Sequence, residues 1–356
     1  MGPAENSSII RRRLKEWYRG SKRELPWRAT RDPYRIWVSE IMLQQTRVAV
    51  VIPYYRRFLE RYPDLPALAR ASEAELLACW SGLGYYGRAR NLQKAARQML
   101  KAGGFPSECE TIRALPGVGD YTAAAIASMA FGLPQAALDG NVTRVLARLT
   151  NDAGDVSAAS TRQRLRQVAE GLLDRKDPGG FNQALMELGA TLCLPRDPQC
   201  LLCPVRAHCQ ARRQGTERAL PVKPRKKPPV RIWKTVLIVE RGGKLLLRPR
   251  DGFWELPEAD QLLVTSEPEA LGSFRHSITH HQYVFTVAAA RFGRAPRGFR
   301  WIPRDQLETV PLSTVARKAL GLRTAGLAHS LYYQSSIPLR AAKIPRGSPF
   351  PAPVKN

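Results

Sequence analysis

Four cysteines lie close together in this sequence, and they constrain its fold more than any other feature. Cys193, Cys200, Cys203 and Cys209 follow the spacing C-x6-C-x2-C-x5-C. Thiols gathered this closely indicate a metal site that fixes the surrounding loop. Four thiolates bind either one zinc ion or a [4Fe–4S] cluster. Zinc ribbons usually pair two C-x2-C knuckles, and this string contains only one. The spacing therefore favours an iron–sulfur cluster, but it does not exclude zinc.

The balance of charge indicates a polyanionic partner. The 356-residue chain has 56 Lys and Arg against 30 Asp and Glu, a formal net charge of +26. Such an excess attracts nucleic acid first and acidic membranes second, and binding to nucleic acid weakens as the salt concentration rises.

Neither a secretory segment nor a membrane span is predicted. The N-terminus runs into Arg11–Arg12–Arg13 without an apolar stretch, and the longest uncharged run, residues 121–138, is broken by Gly132 and Pro134. We therefore expect a cytoplasmic protein, associated with the nucleoid if it is bacterial, in which the cysteines are metal ligands or free thiols and not disulfides.

Apolar periodicity predicts a helical region that spans about residues 9–210. Segments such as EAELLACWSGL, RNLQKAARQML and FNQALMELGATLC have apolar residues at helical spacing, and Pro and Gly punctuate them. Residues 211–230 are basic and rich in Pro, a composition typical of a linker.

The period changes after the linker, which predicts a smaller α+β domain over residues 231–321. WKTVLIVE and KLLLRPR flank Gly242–Gly243 as a hairpin pattern, and QYVFTVAAA predicts another strand. PLSTVARKALGL predicts a closing helix capped by Ser313 or Thr314. The tail, residues 322–356, is basic and rich in Pro, and we expect it to be mostly disordered.

A glycine-rich turn precedes an Ala-rich helix in LPGVGDYTAAAIA, which begins at Leu115. Glycines at a turn let the backbone approach a ligand closely, and a helix N-terminus offers free N–H groups to a phosphate. Most such patterns are simple helix-entry turns. Together with the basic composition and the cysteine string, this one predicts a helix–hairpin–helix grip on the DNA backbone.

Two carboxylates stand out from their surroundings. Glu40, in WVSEIMLQQTRV, is flanked by apolar residues, although a solvent-facing acid explains this window equally simply. Asp139, in LDGNVTRVLARL, precedes a helical pattern and is explained as well by helix capping. The alternative is that both are directed into a site, where apolar neighbours would let Glu40 hold a proton near pH 7.

The segments SEIMLQQTRV, LPGVGDYTA, LDGNVTRVLAR and FNQALMELGA precede the cysteine string in this order. Together they resemble the MutY family of adenine DNA glycosylases, in the helix–hairpin–helix superfamily. The resemblance covers about residues 9–210 and continues in FWELPE and FRHSITH. It implies a monomer that removes adenine mispaired with 8-oxoguanine or guanine in double-stranded DNA, which begins base-excision repair.

The resemblance also implies an architecture and a cofactor. It places a [4Fe–4S] cluster on the four cysteines. It predicts a helical barrel at about residues 31–133, inserted between two parts of an iron–sulfur domain at about 1–30 and 134–210. The second domain is similar to a Nudix domain, but lacks the Arg-Glu-x-x-Glu-Glu run that pyrophosphate hydrolysis needs. We expect it to read the lesion and not to hydrolyse pyrophosphates.

The resemblance assigns site residues by position. It implies Glu40 as the catalytic acid and Asp139 as the catalytic aspartate. It also implies that the same site is lined by Tyr121, Asn141, Trp27, Arg28 and Gln183. The last three of these would surround the adenine. It implies DNA contacts by Gln45, Leu83, Tyr85, Leu115, Gly117 and Gly119, with Gln45 and Tyr85 pushed into the base stack. A lesion-reading loop maps onto Ile278, Thr279 and His280.

This chain departs from the family at Ile278, where members usually carry Phe. An Ile side chain can wedge between bases, but it cannot stack on them as an aromatic ring does. The strength of 8-oxoguanine discrimination is therefore a separate question from the reaction itself.

The same fold is compatible with two other enzymatic reactions and with a DNA-binding protein that has no activity. The lesion-reading domain disfavours a mismatch thymine glycosylase. The joint retention of Glu40, Asp139, Tyr121 and Asn141 disfavours a DNA-binding protein with an inactive site. A bifunctional enzyme similar to endonuclease III would carry a Lys that forms a Schiff base, in a pattern that resembles LPGVG-x-K. Tyr121 occupies that position here. We therefore expect a monofunctional glycosylase.

Overall fold

The structure is a computed structural model that describes residues 3–224, 228–262, 267–278, 281–291, 295, 297–307 and 310–329. The first part of the chain is helical, as predicted. Its helices are α1 (Pro3–Ser21), α2 (Pro33–Leu43), α3 (Val48–Arg61), α4 (Leu65–Arg70), α5 (Glu73–Trp80), α6 (Gly87–Lys101), α7 (Cys109–Arg113), α8 (Asp120–Phe131), α9 (Gly140–Thr150), α10 (Ala159–Leu172), α11 (Pro178–Thr191) and α12 (Gln210–Gln214).

Helices α2 to α8 surround one hydrophobic core that contains Trp37, Phe58 and Trp80. Asp32 caps the first turn of α2 by accepting hydrogen bonds from two backbone N–H groups, and Pro33 occupies its first position. Every residue from Ile36 to Met42 is buried. The acid in this segment therefore lies on a core helix and not on the solvent face of a surface helix.

A second hydrophobic core combines residues of α1 with residues of α9, α10 and α11, which come after the first core in the sequence. Ile10 and Leu14 of α1 pack in one cluster with Val145 of α9, Leu165 of α10 and Leu188 of α11. When one domain is inserted into another, the core of the outer domain is formed by the segments before and after the insertion. We propose the division into residues 31–133 on one side, and 1–30 with 134–210 on the other.

Residues 211–230, predicted to be a basic linker rich in Pro, pack in part against the helical region. Helix α12 extends into this segment, and Ala211 and Leu220 are buried. The Arg148 side chain donates a hydrogen bond to the Leu220 carbonyl over 3.0 Å, and the Val222 carbonyl accepts one from the Val156 amide over 3.1 Å. The apolar residues between the charges fasten the first half of the segment to the helical region.

The second part of the chain is α+β, as predicted, and its strands form two sheets. In the first sheet the strand order is β1-β6-β5, with β1 parallel and β5 antiparallel to β6. In the second, β3 pairs antiparallel with β2, β4 and β7. The strands are β1 (Val230–Ile238), β2 (Glu240–Arg241), β3 (Lys244–Arg250), β4 (Phe253–Glu255), β5 (Glu269–Ile278), β6 (His281–Ala289) and β7 (Arg300–Pro303).

The predicted hairpin around Gly242–Gly243 is confirmed only next to its turn. Both glycines have positive φ, and Glu240 pairs with Leu245 across the turn. The long strand before it, β1, pairs with β6 instead. That partner lies more than 40 residues away in the sequence, so local alternation of apolar residues gives no signal for it.

Helix α13 (Thr314–His329) closes the domain, with Ser313 as its cap. The Ser313 hydroxyl accepts a hydrogen bond from the Ala316 amide over 3.2 Å. Ala316 and Ala319 are fully buried in the core of the domain. The helix continues past residue 322, so the tail was predicted to begin too early; residues 330–356 lie outside the described part of the chain.

The second domain contacts the segment between α5 and α6. Phe253 joins the first hydrophobic core, and its ring centroid lies 4.0 Å from that of Tyr86. The Ser81 hydroxyl donates to the Leu312 carbonyl over 3.0 Å and accepts from the Arg317 guanidinium over 2.8 Å. Among the described residues, no helix combines the length and apolar character that a membrane span requires.

Candidate active site

A cleft of about 560 Å³ brings together side chains from both helical cores. Eight of the residues predicted for the site line it, namely Trp27, Arg28, Glu40, Gln45, Tyr121, Asp139, Asn141 and Gln183. Several residues without a predicted role line it as well, including Arg23, Met186 and Glu187. Residues distant in sequence therefore converge on one cleft between the two cores.

Glu40 lies at the buried end of this cleft, with 5% of its surface exposed. The Tyr121 hydroxyl donates a hydrogen bond to Glu40 Oε2 over 2.8 Å. Burial raises the pKa of Glu40 to about 7; the Tyr121 hydrogen bond acts against this rise, and the negative charge of Asp139 adds to it. Glu40 can therefore hold or release a proton at neutral pH.

Tyr121 stands in the first turn of α8 and faces the same carboxylate. Its hydroxyl lies 2.8 Å from Glu40 Oε2 and 3.6 Å from the Met186 sulfur. Burial raises the pKa of Tyr121 well above 10, so the phenol stays neutral. This position of the hairpin supplies a hydrogen-bond donor to Glu40 and no amine nucleophile.

Asp139 is both a helix cap and a residue of the cleft. Its Oδ1 accepts a hydrogen bond from the Val142 amide over 2.6 Å, which caps α9, while its Oδ2 accepts one from Asn141 Nδ2 over 2.9 Å. Burial raises the pKa of Asp139, and the hydrogen bonds from Val142 and Asn141 act to lower it. The two interpretations of this residue are therefore compatible, because each oxygen has its own partner.

Arg144 holds Asn141 in place, a role that sequence reasoning missed. Its guanidinium donates to Asn141 Oδ1 over 2.9 Å, to the Gly189 carbonyl over 2.8 Å and to the Cys193 carbonyl over 2.8 Å. A hydrogen-bonded path thus runs from Asp139 through Asn141 and Arg144 to the first cysteine of the string. The sequence signal is the placement of Arg144 three residues after Asn141, one turn along the same helix.

The lining of the cleft also includes the residues predicted for the adenine pocket. Trp27 is buried and packs edge to face on Tyr55, with ring centroids 5.3 Å apart. Gln183 Oε1 accepts a hydrogen bond from the Tyr18 hydroxyl over 2.6 Å, which fixes the amide at the wall. Arg28 forms an ion pair with an acidic residue that was not predicted as part of the site.

That acid is Glu187, whose side chain is fully buried. It receives a hydrogen bond from Arg28 over 2.7 Å, and two from the Arg23 guanidinium over 2.7 and 2.8 Å. Burial alone would raise the pKa of Glu187, but the two guanidinium groups hold it at about 2. Glu187 stands four residues after Gln183 among apolar neighbours in ALMELG, the same signal that drew attention to Glu40.

We expect Glu187→Gln to destabilise the protein by at most roughly 3–5 kcal/mol, because Arg28 and the partly exposed Arg23 lose the buried charge with which both pair. The measurement is the free energy of unfolding in urea at pH 7. Glu110→Gln is the matched control: Glu110 pairs with Arg113 at the surface, where an ion pair contributes about 1 kcal/mol or less. Equal losses from the two substitutions would contradict the assignment.

The residues predicted to enter the base stack are exposed and share an uncommon backbone conformation. Gln45 has φ 57° and Tyr85 has φ 49°, and 53% of the Tyr85 surface is exposed. Left-handed backbone is rare in residues other than glycine, and it is found where the surrounding structure imposes it, often at functional sites. The structure therefore presents both side chains at the ends of tight turns.

Leu83 and Leu115 are also predicted to contact DNA. Their side chains are buried in the first hydrophobic core, so only their backbones are available to DNA in this conformation. Gly117 has φ 80°, and a Cβ there would lie 2.9 Å from the Asn91 Cβ, so the fold itself requires this glycine. Gly119 has neither constraint, and space is open around the position of its missing Cβ.

The predicted lesion-reading loop lies largely outside the described residues. Thr279 and His280 are not described, nor is the side chain of Ile278. The backbone of β5 pairs Ile278 with His281 of β6, so this segment connects two paired antiparallel strands.

The four cysteines line one small cavity beneath α9. Arg148 contributes to the same cavity and donates a hydrogen bond to Cys193 Sγ over 3.3 Å, while Cys209 Sγ lies 3.4 Å from the Arg148 carbonyl oxygen. In the described ranges, no three His, Cys, Asp or Glu side chains are drawn together closely enough to hold a metal ion by themselves. The four thiols therefore share one cavity with Arg148.

Comparison with known proteins agrees with this geometry. Residues 38–170 match the HhH-GPD superfamily of base excision DNA repair proteins. The helical region is similar to a thermostable thymine-DNA glycosylase of known structure, 29% identical with a TM-score of 0.54, over 59% of this chain and 98% of that one. It shares its fold with endonuclease III in a non-covalent DNA complex, 23% identical with a TM-score of 0.51, over 60% of this chain and 99% of that one.

A second relative extends the match beyond the helical region. The adenine DNA glycosylase of Rattus norvegicus is 35% identical over an alignment that covers 87% of this chain and 77% of that protein. A match of that extent includes the second domain as well as the cleft and the cysteine string. This chain belongs to the family of adenine DNA glycosylases, within the HhH-GPD superfamily of base excision repair proteins.

Proposed function

We propose that this protein excises adenine mispaired with 8-oxoguanine or guanine in double-stranded DNA, as a monofunctional glycosylase that begins base-excision repair. The observation that carries the proposal is the pair of carboxylates in one cleft. Glu40 is buried and has a pKa near 7, and the half-buried Asp139 accepts two N–H hydrogen bonds. Two carboxylates in different environments are the usual means of dividing acid and base roles.

The first step is extrusion of the adenine, because an N-glycosidic bond cannot be reached inside the base stack. Extrusion costs roughly a few kcal/mol. Gln45 and Tyr85 fill the space that the base leaves, and the flipped adenine enters the cleft between Trp27, Arg28 and Gln183. Interactions with its edge and faces select adenine over other bases.

The second step is protonation of the base, since adenine leaves poorly as an anion. Protonated Glu40 gives its proton to a ring nitrogen of adenine, and the bond between C1′ and the base then breaks. Tyr121 keeps the Glu40 carboxyl oriented through its hydrogen bond. Glu40, now ionised, accepts a proton from the water that completes hydrolysis.

Asp139 acts on the sugar. As the bond breaks, C1′ gains oxocarbenium character, and an ionised carboxylate close by stabilises that positive charge or bonds to it transiently. The hydrogen bonds from Asn141 and Val142 favour the ionised form of Asp139 over the protonated one. Arg144 supports this state because it fixes Asn141 with its amide nitrogen toward the carboxylate.

DNA binding rests on charge and on the hairpin between α7 and α8. The net charge of +26 supports affinity for the backbone. At Gly119 the N-terminus of α8 can approach a phosphate, because no side chain occupies that space. We propose that the protein works as a monomer in the cytoplasm, and that its second, Nudix-like domain reads the base opposite the adenine through residues 278–280.

Removal of thymine from mismatches is a second candidate, favoured by the 29% identity to a thymine-DNA glycosylase. The base that the protein releases distinguishes an adenine glycosylase from a thymine glycosylase. We expect adenine release from duplexes with adenine opposite 8-oxoguanine or guanine, and no thymine release from a T·G duplex, as measured by alkaline cleavage at the abasic product. Loss of thymine without loss of adenine would overturn the proposal.

The same duplexes test the absence of lyase chemistry. Borohydride added during turnover reduces a Schiff base to a stable protein–DNA crosslink, and we expect no efficient crosslink because position 121 carries a phenol. Efficient trapping would show that another amine acts as a nucleophile.

We propose that Cys193, Cys200, Cys203 and Cys209 hold a [4Fe–4S] cluster. Four thiols around one cavity, with the Arg148 guanidinium donating to one of them, suit an anionic iron–sulfur group. When bound, such a group would fix the loop that follows α11.

Iron and sulfide analysis of the purified protein tests the cluster. We expect about four irons and four sulfides per chain, as the ligand set implies. Cys200→Ser should lower the iron content and the melting temperature together. Stoichiometric zinc in place of iron would contradict the proposal.

A further inference from the structure

Arg88 joins the two turns that present Gln45 and Tyr85. Its Nη1 donates to the carbonyls of Ile41 and Met42, over 3.0 and 2.8 Å, and to the carbonyl of Gln44. Its Nη2 donates to the hydroxyl of Thr46 over 3.1 Å and to the carbonyls of Leu83 and Gly84, over 3.3 and 3.2 Å. One guanidinium therefore holds acceptors on both sides of Gln45 and immediately before Tyr85.

The carbonyls on the first side belong to the end of α2, the helix that carries Glu40. The last carbonyls of a helix lack partners within it and attract a cation. Arg88 supplies that cation from the first turn of α6, although a positive charge is unfavourable at the N-terminus of its own helix. The position is therefore explained by what Arg88 holds together and not by the stability of α6.

The guanidinium also packs on aromatic rings. Its centre lies 5.4 Å from the centroid of Tyr85 and 5.5 Å from that of Trp80. Arg88 Nε is buried and has no hydrogen-bond partner in the described part of the chain, a cost that the other contacts must offset. The side chain is thus committed to the two turns and is not left for the DNA backbone.

We propose that Arg88 is a positioning residue for base extrusion: by bridging the two turns, it fixes the spacing between Gln45 and Tyr85 that lets both enter the base stack. The inference rests on the proposed function, because it assigns those two residues to the stack. Arg88 does not touch the flipped base, so it acts on extrusion and not on bond cleavage.

The test compares Arg88→Met and Arg88→Lys under single-turnover conditions on a duplex with adenine opposite 8-oxoguanine. We expect Arg88→Met to lower the rate constant about tenfold or more, since several charge-assisted hydrogen bonds are lost. Arg88→Lys should recover little of this, because an ammonium cannot span both turns as a planar guanidinium does. Full rescue by Lys would show that charge alone matters and would overturn the proposal.

A fluorescent base separates extrusion from chemistry. With 2-aminopurine in place of the target adenine, wild type should give the fluorescence rise of an unstacked base, and Arg88→Met should not. Arg97→Met is the matched control, because Arg97 lies on the same helix and donates to the Ala69 and Ala71 carbonyls, away from both turns. Equal loss of rate and of melting temperature in the two variants would reduce Arg88 to an ordinary structural residue and overturn the proposal.

A double-mutant cycle identifies the residues through which Arg88 acts. In a Gln45→Ala, Tyr85→Ala background, Arg88→Met should have almost no further effect on the rate constant. An additive effect would contradict the proposal. Failure of wild type to release adenine would instead refute the proposed function, which keeps the two failures distinguishable.

Discussion

Glu40→Gln is expected to lower the single-turnover rate constant of adenine release by about 10³-fold, because a positioned general acid contributes roughly 10²–10⁴-fold. Glutamine has the same shape and still accepts the Tyr121 hydrogen bond, but it has no proton to give to the base. DNA affinity should change little, since Glu40 is buried, is only about half ionised at pH 7, and keeps its shape as glutamine. Adenine release within about threefold of wild type would remove Glu40 from the acid role.

The same variant has a stability signature that a solvent-facing acid would not give. Burial raises the pKa of Glu40 to about 7 in the folded chain, against an ordinary value of 4.5. Wild type therefore loses folding stability as pH rises from about 4.5 to 7, because ionisation is harder in the folded than in the unfolded state. The full loss is on the order of 3 kcal/mol. Glu40→Gln should melt at a higher temperature than wild type at pH 8, and the difference should vanish near pH 4.5.

Asp139→Asn is the second large effect. Removal of the negative charge beside the developing oxocarbenium ion should lower the rate constant by about 10²–10³-fold, as loss of one preorganised electrostatic partner does. The substitution should keep the hydrogen bond from the Val142 amide, because asparagine caps a helix about as well as aspartate, and should lose only the one from Asn141 Nδ2. Single-turnover kinetics and thermal unfolding, measured on the same preparation, check both statements.

Asp139→Ala separates capping from catalysis. It removes the hydrogen bond to the Val142 amide as well as the charge, so it should lose about 1 kcal/mol of stability that Asp139→Asn retains. Its rate constant should match that of Asp139→Asn. If the alanine variant were slow and the asparagine variant fast, Asp139 would be a helix cap alone.

The residues of the cleft could be predicted better than the contacts among them. An acid among apolar residues drew attention to Glu40, and the family resemblance added most of the other cleft residues. Glu187 has the same apolar neighbours, but it was not singled out. The partners of both acids, Tyr121 and Arg28, lie on other elements of the chain. Such pairings depend on how helices pack, which the period of a single helix does not encode.

The fold shows the same limit. Helical and α+β regions followed from periodicity, but the parallel pairing of β1 with β6 did not, since that pairing joins distant segments. The segment after the cysteine string was predicted to be a linker because charge and proline dominate its composition. Two apolar residues, Ala211 and Leu220, nevertheless anchor it to the helical region. The role of Arg88 could not be predicted for a related reason. An arginine on a helix is common, and its six hydrogen-bond acceptors lie on turns that only the folded structure brings together.

The central claim is that Glu40 donates a proton to the flipped adenine, and the pH dependence of kcat/KM for adenine release tests it most directly. This quantity reports the ionisation of groups in the free enzyme. We predict a bell-shaped profile that falls at low pH as Asp139 takes up a proton, and falls above about pH 7 as Glu40 loses its own. A profile that stays level from neutral pH to about pH 9 would contradict the account, because an acid with this pKa has lost its proton over that range.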